Sequence, residues 1–196
     1  MQKMMTMTDY LEDIEDQTIK DLEGLALTGR NFTQCRFEGC DFSQLRFDGI
    51  LDSTTFKDCN LSLTSFRDAM LQGVRFETCK LVGVDFTLCN TLGFDIGFSG
   101  CLLRSCNFNL MELKKTSYQQ CEIIETDFLG SDLSESNFTN SSFSCVNFNN
   151  TKLSKARFNG AHGYTINPLN NNVKDATFSL PDAVSLLECM GIKLLL

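Results

Sequence analysis

The stretch TTFKDCNLSLTSFRDAMLQGVRFETCKLVGVDF, residues 54–86, decides the fold. Every fifth residue in it is large and apolar: Phe56, Leu61, Phe66, Leu71, Phe76, Leu81, Phe86. Two places ahead of each stands something small: Thr54, Cys59, Thr64, Ala69, Val74, Cys79, Val84. A period of five suits neither regular element. On a helix the stripe drifts around the cylinder, and on a straight strand odd spacing sends alternate members to opposite faces. The pattern holds only if the chain turns a corner in each repeat and keeps the fifth residue inside. The expected architecture is a flat-sided coil.

Outward from this stretch the same series runs back through Phe47, Phe42, Phe37, Phe32, Leu27 and Leu22, and forward from Leu103 through Phe108 to Phe158. It slips twice. Phe47 to Leu51 is four residues, a loss of one around Gly49–Asp52. The series weakens at Thr91 and Ile96 before Leu103, a gain of two placed around Gly97–Gly100. Cys40, Cys59, Cys79, Cys101 and Cys121 all stand two before a central residue, and their intervals of 19, 20, 22 and 20 straddle the same slips. Two residue classes therefore agree on a turn of twenty residues with four sides. Sorted by side, two facing columns are aromatic and two mainly aliphatic, which fills a square bore. One aromatic column reads Phe37, Phe56, Phe76, Ile96, Tyr118, Phe138, Phe158.

The expected fold is all-β: a quadrilateral parallel β-helix of about eight coils over residues 22–178. An acidic segment, 1–21, precedes it, and a short C-terminal α-helix with its tail, 179–196, follows. Tyr164, Ile166 and Phe178 fill the degenerate last coil, and Pro168 with Asn170–Asn172 marks a loop. In the first segment Thr8 is expected to cap a helix with Tyr10, Leu11 and Ile14 on one side, either as an end cap or as an acidic arm for a partner. Ser179 is expected to start the last helix, with Pro181 and Asp182 in its first turn and Gly191 ending it. Its apolar stripe of Ala183, Val184, Leu187 and Met190, followed by Ile192, Leu194, Leu195 and Leu196, exceeds what a cap needs, so a homodimer through this end is expected.

The formal net charge is −8, and residues 1–23 carry −5 of it, so the repeat body is nearly neutral. A basic footprint for direct nucleic-acid binding is absent, as is any apolar run long enough for a membrane span. No secretory leader is evident, so the ten cysteines are expected to be reduced thiols in a cytoplasmic protein. The five stacked cysteines read as small fillers rather than metal ligands, and Cys145 and Cys189 fall off their column. His162, the lone histidine, reads as a loop residue. No nucleophile has a visible base and a packed bore leaves no pocket, so neither enzyme activity nor a cofactor is expected.

Two surface features are candidate partner sites. One side carries Asp48, Asp68, Asp85 and Asp127, with Arg46 and Arg67 among them. Another places Leu63, Val82, Leu102 and Ile124 outward, either as a docking strip for the N-terminal segment or as a partner surface.

The segments CRFEGCDF, CNLSLTSF, CKLVGVDF and SDLSESNF make residues 22–178 resemble the pentapeptide-repeat family, whose repeats form a right-handed quadrilateral β-helix. The ending VSLLECMGIKLLL, 184–196, resembles the dimerising C-terminus of its Qnr and MfpA branch. That resemblance implies a non-enzymatic protein that binds DNA gyrase or topoisomerase IV and protects it from quinolones by imitating duplex DNA. The alternative is an interaction scaffold or effector with an unrelated protein partner. The projecting loops of Qnr proteins have no counterpart of similar length at either slip.

Overall fold

Most corners of the coil are made by a single residue in the left-handed backbone region. Asp58, Leu63 and Asp68, and later Ser105, Leu110, Lys115, Gln120 and Glu125, all have φ between 49° and 67° and stand two places after a central residue. Such a residue costs an L-amino acid about 1–2 kcal/mol, so glycine takes the same place at Gly73, Gly83 and Gly130. The computed structural model describes residues 13–193. In it the chain winds through eight turns of a four-walled parallel β-solenoid and ends in one short helix, α1, Val184–Cys189.

The walls are numbered in the order the chain meets them. The second is the most regular. Ile19, Phe37, Phe56, Phe76, Phe98 and Tyr118 pair in parallel register, and Phe158 pairs with Phe178 at the far end. Their rings stack almost coplanar, with centroids 5.1 Å apart for Phe37–Phe56 and 4.8 Å for Tyr118–Phe138. The fourth wall stacks the same way, Phe86–Phe108 at 4.8 Å and Phe108–Phe128 at 5.1 Å, and meets the second edge-on across the bore. The first and third walls contribute Leu51, Leu71, Leu113 and Leu133, and Leu61, Leu81, Leu103 and Ile123, all essentially inaccessible. At about 25 cal/mol per Å2 of apolar surface, this bore is the dominant stabilising element.

The small residues two before each centre do more than save space. Thr54 donates its hydroxyl to the Phe32 carbonyl at 3.0 Å, Thr64 to Phe42 at 2.8 Å and Ser136 to Leu113 at 2.9 Å. Each gives a carbonyl of the coil below a further donor, as at Phe42 and Leu113, which also accept from Leu45 N and Thr116 N. The thiols of Cys59, Cys79 and Cys101 do the same more weakly, at 3.3–3.5 Å. The Cys40–Cys121 series stands on one wall: Cys79 N donates to Cys101 Sγ at 3.4 Å, one coil on.

The one-residue loss lies where the sequence puts it. At Gly49 an added Cβ would stand 2.1 Å from the Arg30 carbonyl oxygen, so the short cut needs a residue without a side chain. The two-residue gain does not. Phe98, not Ile96, occupies the aromatic column, paired with Phe76 and Tyr118, while Ile96 pairs with Val74 in the small position. The extra residues lie earlier, in Thr91–Phe94, and Asp95 N rather than Leu92 N bonds the Leu71 carbonyl. Thr91, expected inside, is exposed.

The ladder also begins before residue 22. Ile14–Glu15 pairs with Phe32–Thr33, and Thr18–Ile19 with Arg36–Phe37, so Ile14 belongs to a strand and not to the expected helix. Residues 8–11 of that helix lie outside the described residues. At the other end Tyr164 and Ile166 are buried, and Phe178 stacks on Phe158 at 5.0 Å. Ser179 and Asp182 do not cap α1. Their side chains accept from Gly160 N and Gly163 N, tying the approach to α1 onto the preceding coil. Gly191, at φ 78°, closes the helix as expected.

Candidate interaction surfaces

Because the bore is filled, chemistry on this molecule happens on its walls. Among the described residues no group of His, Cys, Asp and Glu is arranged to hold a metal ion. All ten cysteines are free. Burial pushes the Cys40 thiol up to about 11 and those of Cys89 and Cys106 up to about 12, so these sulfurs stay protonated and unreactive. Cys145 is exposed and Cys189 half-exposed. His162 is exposed, its backbone bridging to Ser142. No helix among the described residues is long and apolar enough to cross a membrane.

The four aspartates share the fourth wall but divide into two pairs. Arg46 reaches Asp48 at 3.6 Å and Asp68 at 3.7 Å, and Asp48 also accepts from Gly29 N at 2.6 Å. Among the described residues Asp85 and Asp127 have no cation within salt-bridge distance. Asp85 caps the turn at Phe86–Leu88 through Thr87 N at 3.0 Å, and Asp127 accepts from the Asn147 amide at 3.2 Å. Asp85, Asn107, Asp127 and Asn147 follow one another up the wall as bridged partners.

The apolar strip is less continuous than its sequence positions imply. Leu63, Val82, Leu102 and Ile124 all lie on the third wall or its corner, but Arg104 stands between Val82 and Ile124 in the paired register. Leu102 is likewise set between Lys80 and Glu122. Leu63 is the most exposed, 57%, and lies against Gly83.

At the C-terminal end, α1 presents two faces. Leu186 packs on the core, while Leu187, Met190 and Ile192 remain about two-fifths exposed. Ala183 and Val184 are half-buried. Leu194, Leu195 and Leu196 lie outside the described residues. The expected stripe left out Leu186, although it stands three residues after Ala183 on the same helical side.

A further surface has no counterpart among the sequence candidates. The corner between the fourth and first walls exposes Leu110 (80%), and Leu92 (67%) is exposed on the first wall, while Leu88 and Phe94 are half-buried. Leu110 stands two after Phe108, and an apolar residue at a corner position must face water. That was the available signal.

Pentapeptide-repeat models match residues 30–116, as a pentapeptide repeat region, and 121–160, as eight copies of the repeat. No curated protein matches the sequence significantly. Among solved structures, a trypsin-treated variant of QnrB1, a plasmid-mediated fluoroquinolone resistance protein, is 20% identical with a TM-score of 0.62, covering 93% of this chain and 97% of that one. Full-length QnrB1 is 18% identical with a TM-score of 0.57, at 92% and 97% coverage. HetL, a cyanobacterial pentapeptide-repeat protein involved in heterocyst differentiation regulation, is 16% identical with a TM-score of 0.37 over 84% of each chain. The matched repeat models cover well over half the chain, and with the four-walled ladder they place it in the pentapeptide-repeat family.

Proposed function

We propose that this protein is a non-enzymatic binding rod whose partner is a DNA topoisomerase, in the manner of the Qnr branch. The observation that supports it is the correspondence with QnrB1 along nearly the whole of both chains, at a TM-score of 0.62. The exposed face of α1, with Leu187, Met190 and Ile192, supports a homodimer through the C-terminal end. Imitation of duplex DNA would rest on the fourth wall from Asp85 upward, where no described Lys or Arg lies within salt-bridge distance of the carboxylates. Purified protein should rescue gyrase supercoiling from ciprofloxacin, and removal of residues 181–196 should abolish the rescue. No effect at any concentration would end this reading.

One observation favours a second reading, a protein partner other than a topoisomerase. Arg46 neutralises Asp48 and Asp68, so the acidic wall is interrupted in its lower half. Binding to a protein in the absence of any gyrase effect would select it.

A further inference from the structure

The first wall is open at one level. Every other adjacent pair of described coils on this wall is joined by backbone hydrogen bonds, for example Asn90 N to the Ala69 carbonyl and Asp132 N to the Met111 carbonyl. None joins residues 90–95 to residues 111–115. The two extra residues bow the chain outward there, leaving a groove of about 620 Å3 between Thr91 and Phe94 on one side and Asn109–Glu112 on the other. That volume falls in the range of about 300–1,000 Å3 common to ligand clefts. Among the described residues the amides of Thr91, Gly93 and Glu112 have no hydrogen-bond partner, and such unpaired edges are a template for an added extended segment.

The surroundings specify what that segment carries. Phe94 and Met111 line the groove and Leu110, 80% exposed, stands at its edge, so the rim is apolar there. From Asp85 through Asn150 the outward positions of the fourth wall hold Asp85 and Asp127 and no Lys or Arg. Lys114, on the first wall, is already engaged by Glu112 at 3.0 Å and Asp132 at 3.4 Å. We propose that this opening is the docking groove for an extended segment of a partner protein that carries a bulky apolar side chain beside a Lys or Arg. The inference rests on the reading of the chain as a protein-binding rod, and it names the part of the rod that binds.

The test titrates the 15N-labelled full-length protein with three blocked peptides: Lys-Phe-Lys-Leu-Lys, Glu-Phe-Glu-Leu-Glu and Lys-Ser-Lys-Ser-Lys. The first should shift the amide resonances of residues 91–95 and 110–114, and Leu110→Glu should weaken it at least about tenfold while leaving the rest of the spectrum unchanged. Equal binding of either other peptide, shifts confined to α1 or the third wall, or no shift at about 1 mM peptide would overturn the proposal. The gyrase assay separates the two ideas. Rescue that is indifferent to Leu110→Glu removes the groove and keeps the topoisomerase. Peptide binding at the groove without rescue does the reverse.

Discussion

The second and first walls are built from the same repeat, yet one is continuous and the other is open at a single level. On the second wall the register runs from Ile19 through Tyr118 without a gap. On the first, the ladder is unbroken up to Asn90 and resumes at Glu112 with its pairing to Asp132. The bore hardly registers the difference. Thr91, the centre beside the opening, is exposed, but Leu71 and Leu113, the centres of the coils below and above it, are 0% and 1% exposed, and the aromatic stacks pass the opening undisturbed. Core and ladder are therefore separable in this fold. Two extra residues remove backbone pairing on one wall while three walls hold the coils in register.

The largest expected effect breaks the shared part. Phe108→Ala removes a ring stacked between Phe86 and Phe128 and fully buried, and should destabilise the protein by about 3–5 kcal/mol in chemical denaturation. Closing the open wall should act the other way. Deleting Leu92 and Gly93 together with Thr91→Leu restores a twenty-residue turn and an apolar centre. It should raise stability by about 1–2 kcal/mol through recovered hydrogen bonds, and it should abolish peptide binding at the groove. A smaller gain is expected inside the continuous wall. The Tyr118 hydroxyl is buried with no hydrogen-bond partner among the described residues, so Tyr118→Phe should stabilise by about 1 kcal/mol, read from the same denaturation curves. The smallest concerns the exposed rim: Leu110→Glu should move stability by no more than about 0.5 kcal/mol, since Leu110 is 80% exposed.

Thiol reactivity sharpens the contrast between wall and corner. The eight column and core cysteines are buried, and burial raises the pKa of Cys40, Cys89 and Cys106, so they remain neutral thiols below that range. Iodoacetamide at about pH 8 should therefore label Cys145 and Cys189 in the native protein and spare the rest until it unfolds, as mass spectrometry would show. Labelling of Cys59 or Cys101 in the folded state would contradict the ladder.

Most of the fold was legible because two independent residue classes, the central Phe and Leu and the small Cys two places earlier, kept one period. What was hidden had a physical cause in each case. Ile96 keeps the five-residue step counted from Thr91, and Phe98 keeps it counted to Leu103. Both are apolar, and only ring stacking on Phe76 and Tyr118 decides between them. Ile14 and Ile19 are five apart, but the step from Ile19 to Leu22 is short by two, which conceals the first coil from a strict count. The division of the aspartates depends on where the Arg46 side chain reaches, and no spacing rule contains that. Leu186, absent from the expected stripe, is the residue of α1 that packs on the core, while Leu187 stays exposed as a face for a partner would.

Amide hydrogen exchange on the full-length protein tests the open wall most directly. The amides of Asp132 and Lys152, bonded to the Met111 and Ser131 carbonyls, should be protected to near the global unfolding limit. The amide of Glu112, at the equivalent position one coil earlier, should exchange orders of magnitude faster, with those of Thr91 and Gly93. Equal protection at Glu112 and Asp132 would mean that the ladder closes there, and with it the groove.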